Sequence, residues 1–145
     1  MDFLNRLFVA LTEVHPTHPM VVHFPIALTG AAFLFILLAY WKRSAPLELA
    51  AFANISLAAV STIAAGITGY IDNIKNYVGD APNAGAKMFL AALLFLLTTG
   101  ISLVRYRNPD IFQKGNRLLY AGSYGLSFAI AIVLAFLGGV ILYGF

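Results

Sequence analysis

Cysteine is absent from the 145-residue chain. Its absence excludes disulfides, cysteine-ligated iron–sulfur clusters and thioether-attached haem. Charge is nearly as scarce, at 10% of residues, where a soluble domain carries roughly 25%. With 61% hydrophobic residues and a mean hydropathy of +0.85, the chain has too little polar surface to cover a water-soluble globule. It reads as one integral membrane domain.

Other absences narrow the function. The start, "MDFLNRLFVALTEV", has an acidic residue near each end and no small-residue cleavage site, so it does not read as a secretory signal. No nucleophile–base pair, glycine-rich phosphate loop or pair of facing carboxylates occurs. No apolar span carries a charge at mid-depth, where Ser, Thr and Asn54 are the only polar groups expected. That pattern speaks against a hydrolase, a pump or a transporter, and the chain is expected not to be an enzyme by itself. The net charge of +3 comes from basic residues in short loops, with no basic stripe interleaved with aromatics. Nucleic acid is therefore not expected as a partner.

What is present is hydrophobic length. Residues 1–14 alternate as an amphipathic helix, with Phe3, Leu4, Leu7, Phe8 and Leu11 on one face, too short to span and suited to an interface or a partner subunit. A transmembrane domain over 15–145 follows, with spans expected at about 19–41, 46–71, 84–106 and 117–143. Each reaches the roughly 20 residues that cross a bilayer. Pro25 leaves open whether the first span starts there or starts at Pro19 and kinks. Pro46 suits a first helical turn, and Asn83 is a fair N-cap. The short connections predict an all-α antiparallel four-helix bundle.

Lys42, Arg43, Arg105, Arg107, Lys114 and Arg117 gather on one side, against Arg6, Lys75 and Lys87 on the other. The positive-inside rule makes the first side cytoplasmic and puts both termini outside, in a bacterial inner membrane. Tyr40, Trp41 and Tyr106 fit one interface belt, and Tyr70, Tyr77 and Tyr143 the other. Small residues recur every fourth position as Ser123, Ser127, Ala131, Ala135 and Gly139, and as Ser61, Ala65 and Gly69. Such stripes let helices approach closely.

The histidines are the chemical puzzle. All three, His15, His18 and His23, fall in "HPTHPMVVHFPIAL", beside glycines of comparable depth: Gly66, Gly69, Gly138 and Gly139. Glycines next to imidazoles would leave a flat-walled slot fit for a planar macrocycle. Three readings stay open: plain interface residues, axial ligands to haem b, or a copper or zinc site. Positions five apart differ by about 140° on a regular helix, so His18 and His23 more naturally face different partners. Asp72 could orient a ligating histidine through its second nitrogen. Met88, beside Lys87, could serve as a sixth iron ligand.

"HPMVVHFPIAL" (18–28), "TGYID" (68–72) and "FLGGVILYGF" (136–145), in that order, resemble a widespread bacterial four-helix membrane domain of unknown function. Its opening reads H-P-x-x-V-H-F-P-I-A-L, and versions occur in Rieske-type iron–sulfur proteins. By position, His18, His23, Asp72, Gly138, Gly139 and Tyr143 match the shared pattern. The resemblance implies a place in membrane electron transport, as a small b-type cytochrome or a membrane anchor. Relatives often carry a further histidine where this chain reads "NAGAKMF", which would leave Met88, an N-terminal histidine or another subunit to complete a haem site. The expected function is thus a cytochrome-like subunit beside a redox complex or quinone. The alternatives are a structural subunit of a respiratory or photosynthetic assembly and an outer-face copper or zinc binder. A homodimer that joins histidines of two copies is compatible with either metal reading.

Overall fold

The structure, a computed structural model, describes residues 2–9 and 17–143. Helix α1 (Phe3–Val9) covers part of the amphipathic stretch. It is followed by α2 (Thr17–Lys42), α3 (Ala45–Tyr77), α4 (Ala84–Arg107), the single-turn α5 (Ile111–Lys114) and α6 (Arg117–Tyr143). No strand occurs among the described residues. Four helices, α2, α3, α4 and α6, are long and apolar enough to cross a membrane. The chain is an all-α membrane bundle in contact with lipid.

Local chemistry sets the helix ends. The described part of helix α2 starts at Thr17, close to the expected Pro19, and runs through Pro25. Pro19 falls in the first turn, where its missing N–H has no partner to lose. Pro25 deprives the Val21 carbonyl of its usual donor, and Thr29 Oγ1 donates to the Pro25 carbonyl at 2.7 Å. Helix α3 has Pro46 in its first turn, as its position suggested, and extends to Tyr77, beyond the expected Ile71. At its far end Asn73 stitches the loop: its side-chain oxygen accepts from the Ala81 N–H at 3.0 Å and its amide donates to the Gly79 carbonyl. Asn83 stands at the α4 cap position, but in the left-handed region (φ 57°) and without a side-chain cap bond.

Helix α2 packs most closely on α3 and also on α6, while α4 closes the ring against α3 and α6. Successive spans alternate in direction, so every packed pair is antiparallel. The α2–α3 seam is built from small residues. Helix α2 buries Pro25, Thr29, Ala32, Ile36 and Ala39, and α3 buries the row Glu48, Ala51, Ile55, Ala58, Thr62 and Ala65, with Ala59 beside it. Spacings of three and four alternate along both, which is the coiled-coil pattern. His18 lies on Gly69, and that contact sets an antiparallel register. It levels Pro25 with Thr62, Thr29 with Ala58, Ala32 with Ile55, Ile36 with Ala51 and Ala39 with Glu48.

The α2–α6 contact is reciprocal. A Cβ on Gly30 would come within 3.0 Å of the Phe128 ring, and one on Gly125 within 3.0 Å of the Phe33 ring. The two rings stack with centroids 6.0 Å apart. Each helix thus seats the other's phenylalanine on a bare stretch of backbone. The buried hydroxyls of Thr62, Thr98 and Ser127 donate to carbonyls four residues earlier in their own helices, which removes the cost of burying them.

The every-fourth stripe on α6 makes up only part of its inner face. Ser127 and Ala131 are buried, but Ser123 and Ala135 are only half-buried, and Tyr120 and Tyr124 complete the inner face. A step of four advances about 400° around a helix, so a strict every-fourth row winds off the contact. Alternating threes and fours hold it.

Candidate functional site

Each end of the bundle is closed by polar groups, and the two ends differ in chemistry. At the histidine end, three helices converge. His18 of α2 lays its ring on the backbone of α3: a Cβ at Gly69 would meet Cε1 at 2.8 Å and both ring nitrogens within 3.2 Å. Its Nδ1 faces Thr68 Oγ1 at 3.3 Å. The Thr68 hydroxyl already donates to the Ala64 or Ala65 carbonyl, so the imidazole N–H is the donor to Thr68. Asp72 of α3 and Lys87 of α4 stand close enough for their charges to act on the ring. The Asp72 carboxylate also accepts from the Asn76 amide.

His23 lies apart from this cluster. It is exposed on the bundle surface, and its Nδ1 pairs with the Pro19 carbonyl. A carbonyl can only accept, so Nδ1 carries a proton, and in the neutral tautomer Nε2 holds the lone pair. That nitrogen has no hydrogen-bond partner among the described residues. His23 is one heptad before Gly30, which meets Phe128 of α6, so it lies on the α2 edge that faces α6. The register of the Gly30–Phe128 and Phe33–Gly125 contacts levels His23 with Ala135, and Met20 and Pro19 with Gly138 and Gly139.

The structure therefore divides the sequence-derived residues. It joins His18, Gly69 and Asp72, adds Thr68 and Lys87, and leaves His23 outside the cluster. Among the described residues, a Cβ at Gly66, Gly138 or Gly139 would meet nothing within 4 Å, so of these glycines only Gly69 is pressed by a described histidine. The ring of His18 itself fills that approach. Met88 is 60% exposed. His15 lies outside the described residues, and the side chain of Tyr143 does as well. Among the described residues no three His, Asp or Glu side chains converge as a metal-binding group.

Haem fits these residues in one respect. His23 offers an imidazole whose Nδ1 is fixed by a backbone carbonyl and whose Nε2 is free, the donor arrangement of an axial ligand. About one turn away, level with Met20 and Pro19, Gly138 and Gly139 offer backbone that no described residue covers. His18 has the same tautomer, but its ring, Nε2 included, is packed on the Gly69 backbone.

The basic end holds residues that sequence inspection missed. Glu48 is 3% exposed and takes Arg105 in a two-pronged pair, Nε to Oε1 at 2.6 Å and Nη2 to Oε2 at 3.0 Å. The Tyr120 hydroxyl donates to Glu48 Oε1 at 2.9 Å and stands 2.8 Å from that of Tyr124. Since Tyr120 has spent its hydrogen on the carboxylate, Tyr124 donates to Tyr120. The guanidinium also lies over Phe52, 5.3 Å from the ring centre. A signal was present in the sequence: Glu48 is the lone acid in "APLELAAF", one turn inside an apolar span, and Tyr120 and Tyr124 share a helical face.

Beside this network opens a cleft of about 350 Å³, lined by Ala45, Pro46, Leu49, Pro109, Phe112 and Gln113 together with Glu48 and Arg105. No curated protein and no solved structure matches the chain. Residues 14–144, nearly the whole bundle, match the family designated DUF2231, predicted membrane protein. The chain belongs to that family.

Proposed function

We propose that the chain is a small cytochrome-like subunit of a bacterial inner membrane, holding haem b at its histidine end and passing electrons within or beside a larger redox complex. The observation that carries this reading is His23. It is exposed on a membrane-spanning helix, and its Nε2 has no hydrogen-bond partner among the described residues, where a bilayer offers none. A histidine so placed needs a partner, and iron is one that its tautomer suits.

When bound, the haem would supply one-electron chemistry at iron. The chain's own residues do the rest. Pro19 fixes the tautomer and aim of His23, while Gly138 and Gly139 leave an uncovered wall across the α2–α6 groove. His18 holds α2 against α3, so that the segment bearing His23 is stiff. The positive-inside rule places this end on the periplasmic side.

The test is an absorption spectrum of the detergent-purified chain, made with ample haem, oxidised and then dithionite-reduced. A sharp reduced α band, lost in His23→Ala and retained in His18→Ala, supports the assignment. A flat visible spectrum overturns it.

A structural subunit is the second reading, favoured by Gly66 and Gly122, which lie exposed on α3 and α6 with open space around them. Bare backbone on a lipid-facing surface suits close docking of another helix. Leucine at both positions would then release the chain from its complex on native gels and leave its own melting unchanged.

A further inference from the structure

We infer that the cleft at the basic end binds the phosphate-bearing headgroup of an anionic phospholipid. Arg105 is the anchor. A guanidinium has five N–H donors, and Glu48 takes two of them. The other three have no acceptor among the described residues, although the side chain is only 15% exposed. These donors are open to the cleft that Arg105 lines, where an acceptor can reach them.

The surroundings select an anion. Lys42 and Arg43 lie within three positions of the cleft residue Ala45, and Arg107 lies two before Pro109. All three are exposed and have no ion pair among the described residues. Glu48 is neutralised by Arg105 and by the Tyr120 hydroxyl, so the rim sets the local sign. Ala45 and Pro46 are the first turn of α3, whose cap residue Ser44 makes no side-chain cap bond, so the helix N-terminus adds partial positive charge.

Position and lining select a lipid. The cleft lies at the level where Trp41 and Tyr106, 78% and 76% exposed, mark the membrane interface. Pro46, Leu49, Pro109 and Phe112 give it apolar walls for the glycerol and upper acyl region below a headgroup. Basic clefts between spans at the cytoplasmic interface bind headgroups through this combination.

The experiment uses the full chain purified in mild detergent and titrated with phosphatidylglycerol, phosphatidylcholine or inorganic phosphate. Retained lipid is read by native mass spectrometry and stabilisation by melting temperature. Phosphatidylglycerol is expected to be retained about tenfold over phosphatidylcholine. Leu49→Trp, which fills the cleft without touching a charge, should abolish that preference. Should Leu49→Trp not fold, the Lys42→Gln/Arg107→Gln variant should lower it at least about threefold, and Lys75→Gln at the other end should leave it unchanged. Equal retention of the two lipids, or an unchanged preference in both cleft variants, overturns the assignment. So does stabilisation by inorganic phosphate equal to that by lipid, which would give the cleft to a free anion.

Discussion

The imidazole of His18 lies so close on Gly69 that a Cβ there would come within 2.8 Å of its Cε1. This contact is the outermost rung of the α2–α3 seam, and it explains a glycine otherwise unfavourable in a helix interior. Gly69→Ala should destabilise the bundle by about 1–3 kcal/mol through overpacking. Gly138→Ala, where a Cβ meets no described residue within 4 Å, should be neutral or gain up to about 1 kcal/mol from helix propensity. Adding His18→Ala to Gly69→Ala should recover part of the loss. Melting curves of the four variants in one detergent check the coupling.

The phenylalanines seated on Gly30 and Gly125 make a second such test. Gly30→Ala and Gly125→Ala should each cost about 1–3 kcal/mol, because each Cβ would press on a packed ring rather than a free side chain. Combining Gly30→Ala with Phe128→Leu should restore most of its own loss and leave the cost of Gly125→Ala unchanged. Additive losses in the first pair would show that the rings are not what the glycines accommodate.

Breaking the buried pair at the basic end should be costly in one direction only. Glu48→Leu alone leaves Arg105 uncompensated and should cost about 3–5 kcal/mol. The double variant Glu48→Leu/Arg105→Met should be much less destabilised than Glu48→Leu, since paired removal also removes the desolvation penalty. Denaturation of both proteins in the same lipid–detergent mixture compares them.

The direction of the tyrosine chain predicts unequal losses. Tyr120→Phe removes a donor to a carboxylate and the acceptor for Tyr124, and should cost about 1.5–3 kcal/mol. Tyr124→Phe removes one bond between neutral hydroxyls and should cost about 0.5–1.5 kcal/mol. Equal losses would mean that the hydroxyl hydrogens run the other way.

The exposed Asp110–Lys114 pair beside α5, at 2.6 Å, gives a pH signature outside the spans. The Lys114 ammonium hydrogen-bonds the Asp110 carboxyl and holds it below its ordinary value of 3.8, and Asp110 in turn raises Lys114. The lowered Asp110 contributes stability at pH above 3.8 and loses it as pH falls through the depressed value. The raised Lys114 contributes stability below 10.5 and loses it as pH rises through the elevated value. An NMR titration of Asp110 should find its midpoint below 3.8, moving back toward 3.8 in about 1 M salt, where screening is strong.

Much of the architecture is legible from composition and length. Four apolar stretches joined by short polar turns leave a bilayer protein only helices, and short connections leave consecutive helices antiparallel. The histidine segment was likewise visible as a chemical oddity, and Asp72 and Gly69 as its company. What the chain could not display is which face of each span turns inward. Helix α2 is apolar on every side, so no polar–apolar contrast orients it, and lipid provides no hydrophobic drive between helices. Steric fit decides instead: His18 on Gly69, Phe33 on Gly125, Phe128 on Gly30. The same packing brings Glu48 to Arg105, 57 positions away, where the sequence shows only an acid near one helix end and a loop-side cation. Sequence by itself determined that the chain spans a membrane four times and where its few ionisable groups lie. Tertiary structure alone decided which of them meet, because interhelical contact in a bilayer depends on side-chain shape at positions tens of residues apart.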